Sequence, residues 1–117
     1  MGGLSSTVGA IAEGGARRAL REWAASQGLR LGRLGPVVVE GREINLVGEY
    51  VDVEGRRGMV YAEAKASVRV REVIEFARLA AAAERVYGSG LKVLVEFRIY
   101  GEAYEEAEKE GVVSVES

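Results

Sequence analysis

The sequence predicts one α/β domain spanning residues 1–117, with helices packed on a mixed central β-sheet. Three observations predict it. Two strand-like runs flank the turn-forming stretch Glu54-Gly55-Arg56-Arg57-Gly58, which reads as a β-hairpin. A long alanine-rich segment follows, with apolar residues at helical spacing. Another strand-like run then begins at Leu91, so the helix between works as a crossover. A hairpin joined to helix crossovers gives a sheet of mixed strand direction covered by helices.

The elements follow in the order α-β-β-β-α-β-α-β. Residues 1–5 read as a frayed start, and Ser6 or Thr7 as a helix cap. Val8, Ile11, Ala12, Ala16, Ala19, Leu20, Trp23 and Ala24 form an apolar stripe, with Arg17, Arg18, Arg21 and Glu22 opposite. Gly14-Gly15 predicts a break in this helix, since each glycine costs about 1 kcal/mol relative to alanine. Gly28 is a good C-terminal stop. After Gly35-Pro36 comes the short β-rich run Val37-Val38-Val39, and Gly41 marks a turn. From 44 to 53 alternation sets Ile44, Leu46, Gly48, Tyr50 and Asp52 on one side, and Asn45, Val47, Glu49, Val51 and Val53 on the other. The return strand covers 59–66. The helix after it carries Val70, Val73, Ile74, Ala77, Ala80, Ala81 and Val86 on its apolar face, and Gly88-Ser89-Gly90 ends it. Residues 91–99 form a strand, and residues 100–117 an acidic helix with a short last strand. Tyr61 and Trp23 are expected in the core.

Composition excludes several chemistries. The chain has no cysteine and no histidine, which removes disulfides, thiolate or imidazole zinc sites, and every His-dependent catalytic triad. Carboxylates, Lys, Arg, Tyr and Ser remain. The glycine-rich stretches fit no phosphate-loop spacing, so no nucleotide cofactor is expected. No signal peptide or membrane-length apolar run is visible, and a cytoplasmic protein with no membrane partner is expected. Thirteen Arg against three Lys, with one Gln and one Asn, suit a thermophilic origin or a GC-rich genome. The net charge is −2, with the acidity gathered in the last segment: residues 99–117 hold six Glu and one Lys.

Glu63-Ala64-Lys65 stands at the end of a strand, just before the long helix. Two residues apart, Glu63 and Lys65 share a face, while Ala64 packs on the other. A half-buried carboxylate and ammonium together are costly unless paired or put to use. Glu43-Ile44-Asn45-Leu46-Val47 opens the partner strand, and a hairpin brings that start beside the Glu63–Lys65 end. Glu13 lies on the first helix. Helix Glu, E-I-N-L-V, hairpin, V-Y-A-E-A-K and long helix together resemble the P-D…(D/E)-x-K nuclease superfamily, over roughly residues 6–99. That superfamily includes restriction endonucleases and archaeal Holliday-junction resolvases.

The resemblance implies a restriction-endonuclease-like fold and hydrolysis of DNA phosphodiesters with Mg²⁺ or Mn²⁺. It makes Glu63 a metal ligand, Lys65 the group that orients the attacking water, and Glu13 a positioner of water. Asn45 stands where the family places a metal-binding Asp, so charge must come from elsewhere. Glu43 or Glu49 can supply it. Glu49 is expected roughly across from Glu63, counting back from the turn. Asp52 is a further option but lies near the turn, far from Lys65. Arg17, Arg18 and Arg21, with Arg69 and Arg71, are candidate phosphate contacts; i,i+4 pairing with glutamates is the plainer reading of each. DNA is the expected partner, and a homodimer suits so small a chain. Two rival functions stay open: a catalytically inactive nuclease-fold module binding nucleic acid or protein, and a small interaction protein in which Glu63–Lys65 is only an ion pair.

Overall fold

The protein is described from a computed structural model covering residues 2–117, with side chains described from Gly14 onward. Helix α1 (Gly2–Ser26) leads into the short strand β1 (Leu29–Leu31) and into β2 (Gly35–Val39). The long hairpin β3 (Arg42–Asp52) and β4 (Arg57–Val68) follows. Helix α2 (Val70–Tyr87) crosses to β5 (Gly90–Ile99), and α3 (Gly101–Glu110) crosses to β6 (Val112–Glu116). The order matches the expectation with one addition, β1, which three residues between two glycines were too short to announce.

One mixed sheet of six strands runs β1-β3-β4-β5-β6, with β2 also paired to β3. β3 is antiparallel to β4, whereas β4–β5 and β5–β6 are parallel. Both parallel steps use a helix crossover, as the alanine-rich and acidic segments predict. Helices α2 and α3 cover one face, with Tyr61, Val73, Phe76, Ala80, Leu94, Ala103 and Ala107 in a single core. Helix α1 covers the other, where Ala16, Leu20 and Ala24 meet Leu46, Val60, Ala62, Val93 and Val95. Tyr61 is fully buried and its hydroxyl donates to the Gly88 carbonyl at 2.5 Å. Trp23 is partly buried against the α1-side core.

Three local expectations need correction. Helix α1 begins at Gly2 and runs through Gly14-Gly15 without a break. The buried i,i+4 series Ala16, Leu20, Ala24 offsets the glycine cost by burial, and Gly15 gives room to the Ser117 side chain. The alternation across the start of β3 also shifts. Ile44 packs with Val47 on the α2 side, while Leu46 packs on the α1 side. The β2–β3 register slips between Gly35 and Val37, and such an irregularity changes which residues share a face. Finally, β4 continues to Val68 rather than ending at Ala66, so Glu63 and Lys65 lie inside the strand, and it starts early, at Arg57 rather than Met59. Asp52 causes the early start: its Oδ1 accepts the backbone N–H groups of Glu54 and Arg56, each at 2.9 Å, and closes a tight turn early.

Candidate active site

The site forms along the C-terminal half of β4, beside the first turns of α2. A cleft of about 450 Å³ opens there, lined by Arg42, Glu43 and Asn45 from β3, Glu63 and Lys65 from β4, and Glu72 and Glu75 from α2. Pleating turns Glu63 and Lys65 to the α2 side together, while Ala64 packs with the α1-side core. The Lys65 Nζ lies 3.5 Å from Glu63 Oε2. Glu63 is only 9% exposed, and its burial raises the carboxyl above the ordinary carboxylate range. Lys65, and more weakly Arg42, pull it back down, whereas Glu43 pushes it up.

Asn45 faces the same cleft and spends its carboxamide on two protein partners. Its Oδ1 accepts the Ala64 N–H at 3.3 Å, and its Nδ2 donates to Glu43 Oε2 at 3.2 Å. The β3–β4 ladder is in register from Leu46, opposite Ala62, toward the turn. Asn45 stands one residue outside it, and its side chain serves the N–H of β4 where the backbone pairing stops.

Glu49 does not reach the site. It pairs with Met59, four residues along β4 from Glu63, and is exposed. The early turn at Asp52 is the reason, because a shorter turn shifts every partner in the hairpin. Asp52 lies at that turn and spends its carboxylate there, also meeting Arg56 at 3.6 Å. The side chain of Glu13 lies outside the described residues.

The arginines divide. Arg17 donates to the Leu34 carbonyl at 2.8 Å, and Arg21 to those of Leu31 and Gly32 at 3.1 Å each. They pin the β1–β2 connection to α1, on the sheet face opposite the cleft. Arg18 is exposed on that same helix. Arg71 pairs with Glu72 at 3.6 Å and Glu75 at 3.8 Å. Arg69 instead stacks on Tyr100, 4.1 Å from the ring centroid. Sequence reasoning missed Arg42, Glu72 and Glu75, which close the rim through an Arg42–Glu75 pair at 3.8 Å. Their signal was available: the first turns of a helix that follows an E-x-K strand must pass over that strand's end.

The donor set consists of oxygen atoms, which suit a hard divalent cation such as Mg²⁺ or Mn²⁺. Among the described residues no three acidic side chains converge as a closed metal cage. Glu63, Asn45 and Glu43 line the same cleft and are the oxygen ligands that could hold such an ion, as a partial set. Magnesium sites of this kind commonly use one or two carboxylates and are completed by water and substrate phosphate.

A structure described as a repair endonuclease from Pyrococcus abyssi superposes on 82% of this chain with a TM-score of 0.55 and 18% identity. The fold is that of the restriction-endonuclease-like nucleases. EndoMS in its apo form also matches, over 79% of the chain at TM-score 0.48 and 17% identity. This nuclease-fold chain spans about two fifths of the length of both, 41% in each case. No protein-family model and no curated protein sequence matches it. Among the described residues no helix is long and apolar enough to cross a membrane.

Proposed function

We propose that this nuclease-fold domain hydrolyses DNA phosphodiester bonds in the Glu63–Lys65 cleft, assisted by a divalent cation held through Glu63. The observation that supports it best is convergence. A nearly buried carboxylate, an ammonium 3.5 Å away and the polar start of β3 all open into one cleft along the C-terminal half of β4. Glu63, with Asn45 and water, would hold the ion, which supplies positive charge to a phosphate oxygen when bound. Lys65 is 40% exposed, so its ammonium can leave the carboxylate to contact phosphate and orient an attacking water. Asn45 anchors the open end of β3 to β4 and keeps Glu43 near the cleft without adding charge. Arg42 brings a second cation to the rim.

A second reading is favoured by a specific observation: the carboxamide of Asn45 is already hydrogen-bonded at both ends. The neutral Asn45 adds no charge beside Glu63 and ties up the Glu43 carboxylate, which suits a module that binds nucleic acid without cutting it. Calorimetric titration with Mn²⁺, wild type against Glu63→Ala, joined to cleavage assays on linear and branched DNA, separates the two. The nuclease reading expects heat and cleavage in the wild type, both lost in the variant. Folded wild type that binds DNA but neither takes up Mn²⁺ nor cuts, even with DNA present, refutes it in favour of the second.

A further inference from the structure

Beyond the cleft, two guanidinium groups converge on one aromatic ring. Arg69 lies 4.1 Å and Arg98 5.4 Å from the centroid of Tyr100. The cluster is fixed by backbone pairing. The Tyr100 N–H donates to the Val68 carbonyl at 3.2 Å, and the parallel register sets Ser67 beside Arg98. The same register sets Lys65 beside Glu96, so Arg98 stands two residues further along the sheet than Lys65, about 7 Å at the usual strand rise. Along the sheet, Arg98 thus lies further in the direction that runs from Glu63 to Lys65.

Their charge distinguishes them. Around the cleft Arg42, Lys65 and Arg71 each meet a carboxylate within ion-pair distance. Among the described residues Arg69 and Arg98 meet none. Both are exposed, and the quadrupole of the ring attracts them. Glu72, in the first turn of α2, accepts the backbone N–H of Arg69 at 2.8 Å rather than its guanidinium, and its other oxygen meets Arg71. Two like charges gathered on one ring, neither in an ion pair among the described residues, make a seat for an anion. A ring that orients guanidinium planes also leaves their N–H edges free to donate, in the geometry that phosphate oxygens accept.

We infer that Arg69 and Arg98, oriented by Tyr100, clamp the phosphate backbone of a DNA strand next to the bond presented at Lys65. This rests on the nuclease reading for the substrate class but not for the binding. The strand runs along the ends of β4 and β5, and Arg17, Arg18 and Arg21 on the opposite face take no part.

The test is fluorescence anisotropy with a short labelled single-stranded DNA in EDTA, where no cleavage interferes, across a range of NaCl. Wild type is compared with Arg69→Gln/Arg98→Gln and with the charge-matched control Arg18→Gln/Arg30→Gln. Circular dichroism melts confirm that each folds. The cluster variant is expected to bind about tenfold or more weakly, with a slope of log affinity against log salt smaller by about 1.4, two single-strand contacts at about 0.7 each. Tyr100→Leu is expected to weaken binding with less change in slope. Equal losses in the cluster variant and the control would mean diffuse charge and overturn the clamp. So would an unchanged slope, or a wild type that does not bind DNA at low salt. Inorganic phosphate, titrated against NaCl of matched ionic strength, should displace the strand no better than the salt; stronger displacement would mean a lone-phosphate seat and overturn the strand reading. Cleavage is scored separately with Mn²⁺. A protein that binds through this edge but never cuts retires the nuclease reading and keeps the clamp. One that cuts while the cluster variant binds normally does the reverse.

Discussion

Replacing Glu96 with Gln should stabilise this protein above neutral pH. Glu96 on β5 is 1% exposed, and neither side-chain oxygen has a hydrogen-bond partner among the described residues. The register places Lys65 on one side of it and Glu116 on the other. No ion pair forms with Lys65, whose Nζ turns to Glu63. Burial first, and the Glu116 charge second, push the Glu96 carboxyl from its ordinary 4.5 up to about 7. Between those values the folded protein holds a proton that the unfolded chain has released, so stability falls as pH rises through this window. Below 4.5 both states are protonated and nothing is lost; above about 7 the loss is complete. At about 1.4 kcal/mol per pH unit, the gap from 4.5 to about 7 comes to about 3 kcal/mol. Glutamine keeps the shape and removes the ionisation. Guanidinium denaturation of wild type and Glu96→Gln should give similar midpoints near pH 4.5 and an advantage for the variant that grows to about 3 kcal/mol by pH 8. Comparing the two cancels the titrating groups that do not interact with Glu96. Midpoints that run parallel from pH 4.5 to 8, or a variant weaker at pH 8, would show Glu96 ionised and paired, and the reasoning would be wrong.

Asn45→Asp removes the donor to Glu43 and sets a third carboxylate beside Glu43 and Glu63, so the fold should lose about 1 kcal/mol without metal. Mn²⁺ should more than restore it, with binding at least about tenfold tighter than wild type by calorimetry; failure of Mn²⁺ to rescue the variant's melting temperature would count against a metal position there. Arg21→Ala deletes the hydrogen bonds to the Leu31 and Gly32 carbonyls and should cost about 1–3 kcal/mol in chemical denaturation while leaving DNA affinity unchanged. Gly48→Ala would drive a methyl group into the Arg33 carbonyl, and a loss of about 1–3 kcal/mol is expected by the same assay.

How far the sequence could be read depended on the range of the forces involved. The hairpin, the alanine-rich α2 and the pairing of Glu63 with Lys65 rest on local periodicity: a two-residue pleat, a 3.6-residue turn and glycines where the chain reverses. Those signals lie within a few residues, so they survive without the rest of the molecule. The prediction of a break at Gly14-Gly15 failed because propensity is a weak local preference, and Ala16, Leu20 and Ala24 buried on a distant sheet outweigh it.

The partners of Glu63 were decided elsewhere. A turn shortened by the two hydrogen bonds of Asp52 carried Glu49 to Met59 and left Asn45 at the open end of the ladder. One residue of turn length moves every cross-strand contact, and no count along the chain reveals which side-chain hydrogen bonds will close the loop. The arginines divided for the same reason. Arg17, Arg21 and Arg69 look alike in sequence, yet two meet backbone carbonyls of a loop, and one meets a ring brought in by a parallel strand. The sequence by itself determined the fold class and the placing of Glu63 and Lys65 on one face of β4, because each is written in neighbouring residues. Only the tertiary structure decided what surrounds that pair, because contacts between residues far apart in the chain form when the sheet and helices close on one another.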